Sequence, residues 1–359
     1  MAEAVQQDAE AETGEVREAH RFDVKRLEAY CRDAVDGFRG PLEVLQFSGG
    51  QSNPTFLLTT PTRRYVMRKK PPGVLLASAH QIDREYRVMK ALADTDVPVP
   101  RMYALCEDDS VIGTAFYVME YLEGRVFRDS TMPEANEAER RAVYENLAEN
   151  LARLHKVDYQ KAGLGDFGKP GNYFERQIGR WIKQYRGAQT TDVPSMEELI
   201  KYLPAHIPDE QSVTIAHGDY RIGNTMFHPT EPRMIAVLDW ELCTIGHPLA
   251  DVAYNCMYDL MGVSGSAPQI DRIKTPGIPT VEEHVAAYCR YAGRDGIADL
   301  NFYLAFSMFR LASISQGVYK RGLDGNASSE RAMTMGDACA NLADRAWALV
   351  QRADLSKRG

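Results

Sequence analysis

The segment from Ser212 to Glu241 constrains this chain more than any other. Ser212-Val213-Thr214-Ile215-Ala216 is a short β-favouring run, and His217-Gly218-Asp219-Tyr220-Arg221-Ile222-Gly223-Asn224 breaks it with a tight loop. Thr225-Met226-Phe227 and Met234-Ile235-Ala236-Val237-Leu238 then predict two strands of a hairpin, turned at Pro229-Thr230-Glu231-Pro232. Such a hairpin returns Asp239 to the side of the Asp219–Asn224 loop. Two carboxylates and an amide oxygen at strand ends form a hard-oxygen site of the kind Mg²⁺ prefers. A fold that carries this set must hold a small β element beside a loop without letting either drift.

Phosphoryl transfer suits the set. Asp219 can orient and deprotonate an acceptor hydroxyl, while Asn224 and Asp239 hold Mg²⁺ against phosphates, where charge neutralisation does most of the catalytic work. A surface hairpin with an Asx-capped turn has a similar composition. What speaks for chemistry is the register of Asn224, the apolar strand and Asp239 taken together. The pattern His-x-Asp-x-x-x-x-Asn with a later strand-ending Asp resembles the aminoglycoside phosphotransferase/choline kinase family, relatives of the protein kinases. The resemblance implies an α+β, bilobal protein-kinase-like fold with ATP and Mg²⁺ as cofactors: a small N-lobe built on a five-stranded antiparallel sheet, and a mostly helical C-lobe. On that reading residues 1–22 are a disordered or loosely helical arm and residues 23–121 the N-lobe. Residues 122–359 are the C-lobe, with the catalytic loop 217–224 and metal-binding Asp239.

Length and composition fit. The 359 residues can bury two substantial cores, and a net charge of −8 argues against a general nucleic-acid or anionic-membrane surface. The six cysteines are scattered without a CxxC pair, so neither a zinc site nor a disulfide framework is signalled. The N-terminal arm has no apolar core of a signal peptide. The longest apolar stretch, Phe302 to Ile314, is interrupted by Arg310 and too short to span a bilayer. A soluble, cytoplasmic protein is the expectation.

Taken in order, Asp23 to Gly37 has helical spacing, and 42–47 and 55–60 read as strands. The loop between them, Ser48-Gly49-Gly50-Gln51-Ser52-Asn53, lets backbone N–H groups approach closely, as a phosphate cradle or a plain hairpin loop does. In the family a loop in this place covers the ATP phosphates, which implies nucleotide contacts from Ser48, Gly49, Gly50, Ser52 and Asn53. Arg63 to Lys70 is a third strand ending in cations. The resemblance puts Arg68, where many relatives carry Lys, in the slot that holds the phosphates; Lys69, on the opposite face of a strand, is the alternative.

The next helix should begin near Ser78, with Gln81 completing a capping box and an apolar stripe of Ile82, Met89 and Leu92. Glu85 falls on that stripe, and a carboxylate there asks for a cation, so Arg68–Glu85 is the expected pair. Strands at 101–106 and 115–121 flank a turn at 107–110. The family's inter-lobe linker implies Tyr121 and Leu122 as adenine neighbours.

Helices follow at 136–155, 196–203, 249–261, 280–292, 300–319 and 327–353, with an irregular insert through 158–195. The Gly/Ser/Pro-rich segment 262–279 reads as a loop near the acceptor site. His155 reads as a helix-end dipole partner, His217 as a loop brace, and His228 and His247 as ordinary surface or bracing histidines. Asp251 resembles the family's anchor of the catalytic loop. Trp240 reads as packing, and Arg221 either offsets developing negative charge or is solvated. Only a short connection separates Asp239 from Asp251, with no long activation segment and no Ala-Pro-Glu signature. That points to a small-molecule hydroxyl acceptor rather than a peptide.

Within the family, Val66 to Gly73, Glu107 to Thr114 and Leu238 to Pro248 are most similar to the phosphotransferase-like domain associated with acyl-CoA dehydrogenases. This implies a hydroxyacyl-CoA acceptor and a functional association with such a dehydrogenase. Amino alcohols or aminoglycosides stand behind it, the latter disfavoured by the basic end Leu355 to Gly359. A catalytically silent nucleotide-binding or scaffolding module is the reading from another class, and Arg68 is its support.

Overall fold

The computed structural model describes residues 13–48, 53–71, 81–262, 275–325 and 330–356. The chain divides into two compact units: Met1–Val126 with Ala162–Leu164 and Asn224–Cys243, and Phe127–Lys161 with Gly165–Gly223 and Thr244–Gly359. Where the sequence suggests one cut near Tyr121, the hairpin and Asp239 fall with the N-terminal unit. Hydrogen bonds explain it. Val237 N–H donates to the Pro98 carbonyl (2.8 Å), and Arg125 and Phe227 exchange two backbone bonds of 2.8 Å. Gly124 permits this approach, since a Cβ there would lie 2.6 Å from the Phe227 carbonyl oxygen.

The first unit is built on an antiparallel sheet of six strands: β1 (Thr13–Gly14), β2 (Glu43–Phe47), β3 (Thr55–Thr59), β4 (Arg64–Lys69), β5 (Met102–Cys106) and β6 (Phe116–Glu120), ordered β1-β2-β3-β4-β6-β5. Alternation sets its faces. Phe56, Leu58, Tyr65, Met67, Phe116 and Val118 pack with Leu27 and Cys31 of helix α1 (Val24–Ala34). Glu85 lies on α2 (Ile82–Leu92).

The sixth strand corrects the expected five. Residues 13–22 are tied down rather than loose, because Gln46 is a polar side chain buried on β2 and needs partners. Its Oε1 accepts from Arg17 N–H (3.0 Å), its Nε2 meets His20 Nδ1 (2.8 Å), and Phe22 packs on Phe56. Ser78 lies outside the described residues, and α2 starts at Ile82 after Gln81, which gives no side-chain cap.

The second unit opens with α3 (Glu137–Lys156), α4 (Tyr173–Ala188), α5 (Pro194–Ala205) and β7 (Thr214–Ala216). The hairpin strands β8 (Thr225–Phe227) and β9 (Met234–Val237) count with the first unit. The chain then continues through β10 (Thr244–Gly246), α6 (Pro248–Asn255), α7 (Val281–Ala292), α8 (Leu300–Leu323) and α9 (Met335–Ser356). α7 packs on α3, and α8 on α9 and α4. β10 pairs antiparallel with β7, which fixes the chain on either side of the hairpin. Among the described residues no helix is long and apolar enough to cross a membrane.

Candidate active site

Two groups of candidate residues form, one in each unit. In the first unit the hairpin brings the proposed metal ligands to one end. Thr225 pairs with Val237, and Leu238 N–H donates to the Asn224 carbonyl at 2.8 Å, so Asn224 and Asp239 leave the hairpin side by side. Asp239 has φ of 63°, a left-handed backbone that Asp tolerates better than most residues. The Trp240 indole N–H donates to the Val237 carbonyl (3.0 Å), and its buried ring packs, as expected.

Arg68 stands at the centre of a carboxylate cluster. Its guanidinium reaches Glu85 Oε2 at 3.3 Å, Asp239 Oδ1 at 3.1 Å and Glu241 Oε2 at 3.7 Å. Glu85 is 1% exposed and also accepts from Asn53 Nδ2 (2.9 Å) and the Tyr117 hydroxyl (3.1 Å). Burial raises the Glu85 carboxyl to about 7; Arg68 acts against the shift, and Asp239 and Glu241 add to it. Burial works against the Arg68 charge, but Tyr117 and the three carboxylates outweigh it and raise its pKa. Lys69 is buried on the face it shares by alternation with Tyr65 and Met67, and burial lowers its pKa.

Other nucleotide-side expectations fare differently. Ser48 is exposed, with its carbonyl accepting from Arg17; Gly49, Gly50 and Ser52 lie outside the described residues. Asn53 is fully buried and braces Glu85 instead of lining a loop surface. Its amide finds in Glu85 the partner that a buried polar group requires. Tyr121 and Leu122 are half-buried, and the Arg64 guanidinium lies 4.3 Å from the centre of the Tyr121 ring.

The second unit holds the Asp219 loop by its backbone. Asp251, 1% exposed, accepts from the N–H groups of His217 (2.7 Å) and Gly218 (2.9 Å). Burial opposes the Asp251 charge, yet hydrogen bonds from His155 and Gly218 and the nearby His155 and His217 rings keep its pKa below the usual carboxylate value. His155 is therefore more than a dipole partner: its Nε2 lies 3.3 Å from Asp251 and its Nδ1 2.8 Å from the Tyr288 hydroxyl. His217 Nδ1 accepts from Asp219 N–H at 3.2 Å, the bracing role its position suggests. Gly218 has φ of +83°, where a Cβ would cost about 1–2 kcal/mol.

Around the loop, beside Arg221, which the sequence singles out, lie residues that sequence reasoning missed. The Tyr254 hydroxyl neighbours Asp219; burial first and Asp219 second push its pKa well up. Arg310 Nη2 donates to the Gly218 carbonyl (2.9 Å), and its guanidinium faces the Trp181 and Tyr254 rings at 5.7 and 5.3 Å. Arg221 has Nε 3.7 Å from Asp219 Oδ1 and its guanidinium 4.9 Å over Tyr258. Arg310 had a visible signal, a charge inside an apolar helix. Tyr254, three residues after Asp251, had only spacing. His247, expected to be ordinary, is buried: it caps α6 through Leu249 N–H, and burial lowers its pKa to about 4.

Among the described residues no group of three His, Cys, Asp or Glu side chains could hold a metal ion. An Asp and an Asn at one hairpin end, with phosphate oxygens completing the shell, is nonetheless a donor set that suits Mg²⁺. A description of the phosphotransferase enzyme family matches residues 43–295. The chain belongs to that family.

Its relatives agree. Mouse acyl-CoA dehydrogenase family member 10 is 46% identical over 339 residues, covering 93% of this chain but 32% of that protein. The chain thus spans about a third of this relative's length. A crystal structure from Ralstonia eutropha JMP134, provisionally assigned as an aminoglycoside phosphotransferase, is 50% identical with a TM-score of 0.84, covering 92% of this chain and 99% of that one. The aminoglycoside phosphotransferase APH(4)-Ia in a ternary complex with ADP and hygromycin B has a TM-score of 0.58 at 16% identity, covering 90% of this chain and 97% of that one. That likeness bears on the fold alone.

Proposed function

We propose that this phosphotransferase moves the γ-phosphoryl group of ATP to a hydroxyl of a small molecule. The observation that carries the reading is the hairpin end, where a backbone bond from Leu238 N–H to the Asn224 carbonyl supports Asn224 and Asp239 as neighbouring ligands. Asn224 and Asp239 would hold Mg²⁺ there, and the ion would supply charge neutralisation for the phosphates. Arg68 would be free to meet a phosphate were Asp239 to serve a metal, and Glu85, braced by Asn53 and Tyr117, keeps the guanidinium in place. Ser48 stands on the phosphate side of the site, and Tyr121 and Leu122 border the adenine. In the second unit, Asp219 orients the acceptor hydroxyl and takes its proton, and Arg221 offsets the negative charge that develops.

The acceptor is a hydroxylated anion, with hydroxyacyl-CoA as the first candidate and an acyl-CoA dehydrogenase as functional partner in a cytoplasmic setting. Two observations support this. The similarity to acyl-CoA dehydrogenase family member 10 runs along nearly the whole chain. The loop that carries Asp219 is flanked by Arg221 and Arg310, whereas polycationic aminoglycosides need the opposite charge. To test it, purified protein is incubated with ATP, Mg²⁺ and a panel of hydroxyacyl-CoAs, choline, homoserine and kanamycin, and products are read by mass spectrometry. A phosphorylated product that falls about 10²–10⁴-fold in Asp219→Asn establishes the kinase and names its acceptor. Failure to bind Mg-ATP at all favours the silent module.

A further inference from the structure

The segment from Asp251 to Asp259 meets the loop 217–222 at successive points. Asp251 takes the His217 and Gly218 N–H groups, the Tyr254 hydroxyl neighbours Asp219, and the Tyr258 ring lies under the Arg221 guanidinium. Asp259 Oδ2 then accepts from Ile222 N–H at 2.8 Å. The first three residues share one face of a regular helix. Asp259 follows Tyr258 directly and would be turned away by about 100° in an α-helix. Here Cys256–Leu260 forms a π turn, closed by Met261 N–H donating to the Cys256 carbonyl (2.9 Å). The wider turn lets Tyr258 and Asp259 both serve the loop, and such turns recur at functional sites.

Asp259 is 1% exposed and does not stand alone. Asn255 Nδ2 donates to the same Oδ2 at 2.7 Å, and His284 Nε2 lies 2.7 Å from Asn255 Oδ1. With the Asn255 amide nitrogen facing a carboxylate, its oxygen must be the acceptor and His284 the donor. Burial lowers the His284 pKa to about 4, with Glu145 acting against the shift, so the ring is neutral at pH 7 and its one proton sits on Nε2. The buried Nδ1 has no partner among the described residues, which fits a nitrogen carrying no proton.

We propose that Asp259 is a positioning residue: backed by Asn255 and neutral His284, it fixes the Ile222 N–H and so sets the course of the chain from Asp219 into the turn Ile222–Asn224. The proposal rests on reading 217–224 as the catalytic loop. Misplacement of a reacting group by about 1 Å can cost about 10²-fold in rate, so an anchor three residues from Asp219 has leverage.

The test reads amide hydrogen exchange without nucleotide and ATP turnover separately. In Asp259→Ala, exchange of the 217–223 peptide should rise about tenfold or more, while peptides from α7 and from β3–β4 keep wild-type protection. Its kcat should fall about 10–100-fold with KM for Mg-ATP within about twofold. Asp259→Asn, whose amide oxygen can still accept both bonds, should recover most of both. His284→Leu should reproduce the loop exchange more mildly and His284→Gln restore it; this pair decides the matter should Asp259→Ala not fold. Unchanged loop exchange in folded Asp259→Ala overturns the anchor. Loosening spread evenly through α7 and α8, or kcat unchanged, overturns positioning in favour of general support. A wild type that consumes no ATP would sink the kinase reading instead, and the exchange arm would still decide the anchor.

Discussion

The two candidate groups are held by different means. In the first unit, Arg68 is shared among Glu85, Asp239 and Glu241, so long side chains define the arrangement and one charge serves three carboxylates. In the second, buried Asp251 and Asp259 hold backbone N–H groups of the Asp219 loop at 2.7–2.9 Å. Ion pairs between side chains can rearrange when a metal or phosphate arrives, because each partner keeps its rotamers. Backbone bonds to buried carboxylates cannot, since breaking one strands a buried donor at about 1–3 kcal/mol. The contrast teaches that the part proposed to receive ligand is held by exchangeable charges. The part which aims the proposed base is held by bonds that allow no substitute.

The largest effect should come from the charge cluster. Asp239→Ala removes the most exposed of the three carboxylates around Arg68, 34% of its side chain being exposed, and frees Arg68 to settle on Glu85 and Glu241. Transfer activity should fall about 10³-fold or more, because metal charge stabilisation is worth several kcal/mol, while the melting temperature stays within a few degrees. A large loss of stability instead would mean that Asp239 holds the fold, and the contrast between exchangeable and fixed groups would break.

Acid should separate the units next. His284 and His247, both in the second unit, have pKa values lowered to about 4 by burial. Glu145 lies near the first; Glu210, Arg294 and His155 lie near the second. The unfolded chain binds a proton at each as pH falls below 6.5 while the folded chain does not. Their stabilisation is therefore complete above 6.5 and is lost as pH falls toward 4, by at most about 3 kcal/mol each. Glu85, raised to about 7, runs the other way: its contribution falls as pH climbs from 4.5 to 7. Amide protection, corrected for intrinsic rates, should thus drop in α7 and rise in β4 and α2 between pH 7 and 5. Equal slopes in the two units would erase the distinction.

Much of this was legible in the sequence, for identifiable reasons. Alternation along 64–69 separates Arg68 from Lys69, and i+3/i+4 spacing puts Glu85 on the buried stripe, which together predict their ion pair. The pairing of the hairpin strands follows from a short turn between apolar runs, and with the Leu238–Asn224 backbone bond it brings the chain at Asn224 near that at Asp239. What stayed hidden depends on satisfying buried polar groups. Gln46 ties residues 17–20 against the sheet, and Asn53 turns inward to Glu85; neither need shows in propensity. The π turn is hidden for a related reason. Periodicity assumes a constant 3.6 residues per turn, so Asp259 reads as pointing away from its true partner.

The smallest effect is the sharpest test of how Arg68 works. Its guanidinium meets Glu85 through Nη1 and Asp239 through Nη2, two contacts that a forked cation makes at once. Lysine offers one ammonium, and the buried Glu85 with its Asn53 and Tyr117 donors is the stronger claim on it. Arg68→Lys should keep the Glu85 pair, leave Asp239 more available, and change KM for Mg-ATP by about tenfold with kcat moved less. Arg68→Met, leaving Glu85 buried without a cation, should cost stability of about 3–5 kcal/mol, or less where the carboxyl takes up a proton. A lysine variant as crippled as the methionine one would show that the bridge to Asp239 matters more than the charge itself. Arg68 would then be a fixed part of the site, and the first unit would follow the rule of the second.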